Sequence, residues 1–190
     1  DTGTARLLLE GHIPFDVLDT GMDFARYRVL ILPDEIAVTP ALKRKVDAFL
    51  AGGGKLVLSG VSGISADGKR YLFDVGAALE GPSPFCPDYI LPKAPYAPGF
   101  VKSPLVMYLA SQRIKATTGQ SLGDVYDPWF NRRFDHFCSH QHTPCTGEPS
   151  GYHCAVRKGN ILAFAHPVFG LYHASGSVAV KEYVLKALRG

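Results

Sequence analysis

Long apolar runs are missing from this 190-residue chain. No stretch reaches the ~18 residues that a membrane-spanning helix needs. Charge of one sign is also scarce: 20 Lys and Arg stand against 17 Asp and Glu, a net charge of +3. That is too weak for a nucleic-acid footprint. Four cysteines do not make a disulfide scaffold. Cys138 and Cys145 are close enough in sequence to pair, but spacing alone does not show it. Residues 1–6 form neither a basic n-region nor an apolar h-region, so no signal peptide is legible, and no initiator Met is present. These absences point to a piece excised from a longer protein, with a cytoplasmic location favoured. Length and a hydrophobic content of 46% suit one globular domain over residues 1–190.

The first third reads as alternating helix and strand. Residues 4–10 form a short helix stopped by Gly11. Residues 12–18, HIPFDVL, read as a strand. Residues 28–32, RVLIL, read as a second strand, apolar enough to be buried on both faces of a parallel sheet. Thr39 as N-cap and Pro40 at the first helical position start a helix. Its stripe is Leu42, Val46, Phe49 and Leu50. Gly52-Gly53-Gly54 ends that helix, and residues 55–59, KLVLS, form a third buried strand. The glycine run followed by Lys55 is no phosphate loop, because it follows a helix and Leu56 replaces the Ser or Thr required. Asp34-Glu35 follows the second strand and reads as a solvated loop, although the carboxyl end of a parallel sheet is where such folds place ligands.

The remainder is less regular. Residues 81–104 hold seven prolines and read as a surface loop. Residues 106–116 read as one strand, with 119–126 as its partner. Residues 152–156 and 161–165 form a hairpin about Lys158-Gly159-Asn160. Residues 178–188 close the chain as an amphipathic helix with Val180, Val184 and Leu188 on one face.

Two patterns carry candidate chemistry. In FDHFCSHQHTPC, His136, Cys138, His140 and His142 recur at spacing two, with Cys145 after them. On a strand they share one face. At ~3.3 Å per residue, however, the outer two lie too far apart for one ion with bonds of ~2.0–2.3 Å. If residues 131–140 are helical, His136 and His140 face together at i, i+4. Metal candidates are therefore His140, His142 and Cys138, set against a polar segment that meets a partner. DPWFNRRFDHF, residues 127–137, holds the sole Trp. Trp129, Phe130, Arg132, Arg133 and His136 form a candidate interface or sugar contact. The alternative places Trp129 and Phe134 in the core.

Three segments together carry a family resemblance: GHIPFDVLDTGMDFARYRVLILPDEI, LKRKVDAFLAGGGKLVLSGVSG and ILAFAHPVFGLYHASG. They resemble the β-galactosidase trimerisation domain, in particular the version attached to barrel proteins related to α-amylase and α-L-fucosidase. The resemblance implies a fold like the class I glutamine amidotransferases: a flavodoxin-like α/β domain of three layers, its sheet mostly parallel, with antiparallel strands appended. It implies a non-catalytic accessory and oligomerisation domain that packs on a separate catalytic barrel of the same parent chain, forms a homo-oligomer and takes no cofactor. A (β/α)₈ barrel needs ~250 residues and does not fit this length.

The amidotransferase relatives use a Cys nucleophile and a His-Pro-Glu sequence. Here the strand KLVLSGVSG has no Cys, and His166-Pro167-Val168 lacks the carboxylate. Ser62 and His166 remain as a degenerate triad-like pair. The competing functions are a metal-dependent or Ser/His hydrolase built on the His/Cys cluster, and a sugar-binding module using Trp129.

Overall fold

The computed structural model describes residues 2–190. Among them the chain begins with helix α1 (Thr2–Glu10), strand β1 (Val29–Leu32), helix α2 (Pro40–Ala51) and strand β2 (Lys55–Ser59). Strands β3 (Ala77–Pro82), β4 (Asp88–Pro92), β5 (Leu105–Met107), β6 (Gln112–Ala116) and β7 (Gln120–Pro128) follow. The hairpin β8 (Cys145–Lys158) and β9 (Ile161–Phe164) leads into helices α3 (Val168–Ser175) and α4 (Val178–Arg189).

The β1-α2-β2 unit forms for the reasons its sequence gives. Thr39 Oγ1 accepts the Leu42 N–H at 3.2 Å, and Pro40 opens the helix where no donor is needed. Leu42, Val46 and Phe49 are buried. They pack on Leu30, Leu32, Leu56 and Leu58. Val57, between the last two, faces the other way and joins Leu7, Leu162, Phe169 and Tyr183 from α1, β9, α3 and α4. Alternate residues of β2 thus serve two cores, which is why the strand reads as uniformly apolar.

The fold class expected from the sequence is overturned. The sheet is not a mostly parallel, three-layer, flavodoxin-like one. It is a mixed sheet that curls into a half-barrel. Its strand order is β1-β2-β9-β8-β7-β4-β5, and the β1–β2 and β2–β9 pairs alone are parallel. The cause is local. The turn at Gly159, with φ of 52°, folds β8 back on β9, and each strand added beyond β8 is antiparallel to its neighbour. Strands β3 and β6 form a separate antiparallel pair.

Four element readings are corrected with it. Residues 12–18 form no strand: His12 turns the chain with φ of 54°, and Ile13 and Phe15 pack on the core from an irregular segment. The proline-rich 81–104 segment is not one loop, because it contains β4. Pro87 and Pro104 immediately precede strands and Pro92 ends one, positions where a missing N–H costs the ladder little. Residues 106–116 break at 108–111 into β5 and β6, which belong to different sheets. Finally, β7 pairs with β4 and β8.

Candidate functional site

Strands β1, β2, β9, β7 and β5 all end at the same edge of the sheet, while β4 and β8 start there. This carboxyl edge collects every candidate from the sequence, in two tiers.

The lower tier is buried and polar. Asp34, just after β1, is 8% exposed and not the solvated loop residue expected. Its backbone is left-handed, with φ of 52°, a region Asp tolerates better than most residues. Ser59 Oγ donates to one carboxylate oxygen at 2.5 Å, and the Gly170 N–H donates to the other at 2.5 Å. Helix α3 has Pro167 at its N-cap and no side-chain cap of its own. Asp34 supplies that cap from across the sheet, with its negative charge at the positive end of the helix. Burial raises the Asp34 pKa, and the hydrogen bonds from Ser59, Gly170 and Phe169 work against that rise. Gly60 must be glycine here: its φ is 57°, and a Cβ would stand 2.7 Å from the Asp34 carbonyl oxygen.

His166 lies beside this cap, 1% exposed. Its Nε2 is 2.6 Å from Asp88 Oδ1, and Ser111 Oγ donates to Asp88 Oδ2 at 2.6 Å. The carboxylate absent at Val168 thus arrives from β4 instead. Asp88 was missed because residues 81–104 read as a loop. The signal that could have found it is the apolar run Tyr89-Ile90-Leu91 between Pro87 and Pro92. The His–Asp pair does not meet Ser62: the Ser62 hydroxyl is fully buried and accepts the Ile36 N–H at 2.8 Å. His166 Nδ1 has no hydrogen-bond partner among the described residues. A nucleophile must be exposed and within reach of its base. What this arrangement does chemically is fix β1, β4, β9 and α3 to one another.

The upper tier is an excursion over residues 129–144. Its ends are closed by the Pro128–Cys145 pairing and by the Trp129 N–H on the Pro144 carbonyl at 3.1 Å. Arg113, 5% exposed in its side chain, pairs with Asp127 at 2.6 Å and anchors the outgoing limb. Inside the excursion Arg132 Nη1 donates to the Gln141 carbonyl at 2.6 Å, and Arg133 and His136 bridge through their backbones. The Phe130 and His136 rings meet edge-on at 4.1 Å. Trp129 is 68% exposed and Phe134 fully exposed, so neither is core, and Phe137 is 64% exposed.

From Cys138 to His142 the His/Cys run is neither strand nor helix, and Cys145 opens β8. His142 packs against Tyr89 and Tyr108, with Tyr108 Oη 3.3 Å from its Nδ1. Cys138 Sγ lies 3.7 Å from the His142 carbonyl and 3.9 Å from that of His140. Tyr89 donates to the Thr143 carbonyl at 2.6 Å. Among the described residues no three His, Cys, Asp or Glu side chains converge in a way that could hold a metal ion. The four cysteines, Cys138 and Cys145 included, are free thiols.

Residues 6–77 match the family model for the β-galactosidase trimerisation domain. Over that segment the chain is of the β-galactosidase trimerisation type. An α-L-fucosidase, isoenzyme 2 from Paenibacillus thiaminolyticus, is 41% identical over 98% of this chain, with a TM-score of 0.94. The β-galactosidases of Rahnella sp. R3 and Bacillus circulans sp. alkalophilus share the fold at TM-scores of 0.63 and 0.60, with 15% and 16% identity over 98% and 93% of this chain. This chain spans 28%, 26% and 27% of those three proteins, respectively. No curated sequence matches it. Among the described residues no helix is long and apolar enough to cross a membrane.

Proposed function

We propose that this chain is a non-catalytic accessory and oligomerisation domain of a glycoside hydrolase. The sugar-cleaving carboxylates belong to a catalytic barrel elsewhere in the same parent polypeptide, which assembles as a homo-oligomer. The observation that carries the reading is the 129–144 excursion. Trp129, Phe130, Arg132, Arg133 and His136 share it with Phe134 and Phe137, on a frame held by its own hydrogen bonds and by Arg113. Aromatic and Arg side chains of this kind concentrate at the centres of protein interfaces. The three exposed rings leave roughly 400 Å² of aromatic surface in water, at 150–250 Å² per ring. That alone is the size of the largest apolar patch on many monomers. The polar residues nearest to a catalytic arrangement, Ser62 and His166, are buried and committed to structural bonds.

The test is to compare this chain with its parent polypeptide. The parent is expected to hydrolyse aryl glycosides and to sediment as an oligomer, whereas the isolated chain has no hydrolytic activity. Hydrolysis by the isolated chain, abolished by Ser62→Ala, would overturn the assignment.

A further inference from the structure

The amino edge of the sheet, opposite the carboxyl edge, collects cations. Strands β1, β2, β9, β7 and β5 start there, and β8 and β4 end there. Arg28 precedes β1, Lys55 opens β2, Arg157 and Lys158 close β8, and Lys93 follows β4. From Arg28 to Lys93 the row covers about 24 Å of curved sheet, at five strand spacings of ~4.8 Å. Arg157 donates to the Ala187 carbonyl, and Lys186 to that of Ala97 at 2.7 Å, which brings the end of α4 alongside. The carboxylates on this edge are already paired: Asp74 with Lys158, Asp124 with Lys93 at 3.1 Å, and Glu182 with Lys186 at 2.8 Å. Among the described residues Arg28, Lys55 and Lys102 have no ion-pair partner. Arg157 and Arg189 hydrogen-bond to carbonyls alone, which orient a cation without neutralising it. These five cations stand on one edge of a chain whose whole net charge is +3. Asp19 and Asp23 bound the row before Arg28, whereas Glu35 and Glu148 lie towards the carboxyl edge. The dipole of α4 accounts for Arg189 in its last turn. It does not account for Arg28, Lys55 or Lys102, which lie outside any helix.

A groove of about 560 Å³ opens on this edge, between β4, β7 and the 93–104 loop. Leu91, Pro92, Ala97 and Val101 give it an apolar lining, and Lys93, Lys102 and Asp124 add charge. Glu182 accepts the Gly99 N–H at 3.0 Å and, with Lys186 on Ala97, ties the loop to α4. The groove is therefore shaped before a ligand arrives.

We propose that this edge binds an anionic polysaccharide, a sugar chain bearing sulfate or carboxylate groups, an inference that rests on the function proposed above and names the substrate class of the parent enzyme. The apolar lining takes the C–H face of a sugar ring, Lys93 and Lys102 its anionic group, and Asp124 its hydroxyls. The row beyond the groove meets the charges repeated along the polymer. Two features set other polyanions aside. The groove lining holds no aromatic ring for a base to stack on, and Phe100, 61% exposed, lies outside it. Lys is depleted at the centres of protein interfaces.

The test titrates the chain with dextran sulfate, polygalacturonate, neutral dextran and duplex DNA by calorimetry. Saturable binding to at least one of the two anionic polysaccharides is expected, weakened by added salt, with none to neutral dextran. The preference between those two assigns sulfate or carboxylate. Lys55→Glu with Lys102→Glu is expected to weaken this binding at least tenfold, by roughly the steering and attraction that a row of charge supplies. Both positions are exposed, so melting is expected to stay unchanged. If that pair does unfold, Lys102→Gln alone, on the loop, is expected to weaken binding measurably. No binding to either polysaccharide, binding indifferent to these variants, or DNA bound as tightly would overturn the proposal. So would binding lost on Trp129→Ala instead, which would move the sugar to the excursion. Aryl glycoside hydrolysis by the parent is read separately: its absence fails the proposed function, while the titration alone decides the edge.

Discussion

The two tiers of the carboxyl edge are built to opposite specifications. Below, Asp34, Ser59, Ser62, Asp88, Ser111 and His166 are all buried, and each has a hydrogen-bond partner. Above, Trp129, Phe134 and Phe137 face solvent, on a loop held mainly by contacts to backbone carbonyls. Buried polar networks are costly to break, and exposed aromatics cost little to remove. The lower tier therefore accounts for the shape of the domain, and the upper tier for what it can touch. A catalytic site would combine the two, with buried supporting groups around an exposed reactive atom. Here they are separated.

The comparison breaks most sharply at His166. His166→Ala would leave the buried Asp88 carboxylate with Ser111 as its remaining side-chain partner. The expected loss in unfolding free energy is about 3–5 kcal/mol, measured by urea titration of the isolated chain. A loss near zero would mean that the lower tier does not hold the fold. Asp34→Ala removes the cap of α3 and should cost about 1–2 kcal/mol in the same titration. Acid sharpens the contrast with the far end of α1. There Glu10 accepts from Lys181 at 2.7 Å, from Tyr172 and from Arg6 at 2.8 Å, which together lower its pKa to about 2 from 4.5. A depressed carboxyl adds stability that is complete above the unfolded value and fades as pH falls from 4.5 towards 2. Glu10→Gln should flatten the acid limb of a melting-temperature profile over that window. Asp34, whose pKa is raised, has the opposite sign: its contribution becomes less favourable as pH rises through its titration. The smallest expected effect is on Trp129 itself. As the sole Trp it reports directly on sugar stacking, and its fluorescence should not change on titrating the isolated chain with fucose or galactose. A saturable change would assign the excursion to sugar instead of protein.

How far the sequence could be read follows the same division. The β1-α2-β2 unit was legible because Thr39, Pro40, Gly52 and the run KLVLS are local signals for local structure. The antiparallel half was not. Strand β4 hides among prolines, and β5 has three residues. Their order in the sheet is fixed by pairings tens of residues apart, such as Tyr89 with Tyr126. The trimerisation-domain resemblance survived while the fold attached to it did not, because the motifs behind it lie at the parallel end and the hairpin at Gly159. In the site, Trp129 and its Arg neighbours stood out by composition. Asp88 did not, since its role depends on a histidine 78 residues away. The even spacing of His136, Cys138, His140 and His142 suggested a shared strand face. In the structure Tyr89 and Tyr108 instead pull His142 and Thr143 back towards β4 and β5.

The central claim is that the exposed tier serves assembly and not folding. It is tested most directly by Trp129→Ala, with sedimentation of the parent polypeptide and urea unfolding of the isolated chain measured side by side. The account predicts weakened assembly of the parent, with a change of no more than ~0.5 kcal/mol in the isolated chain. Unfolding of the isolated chain, or a parent whose assembly is unchanged, would contradict it.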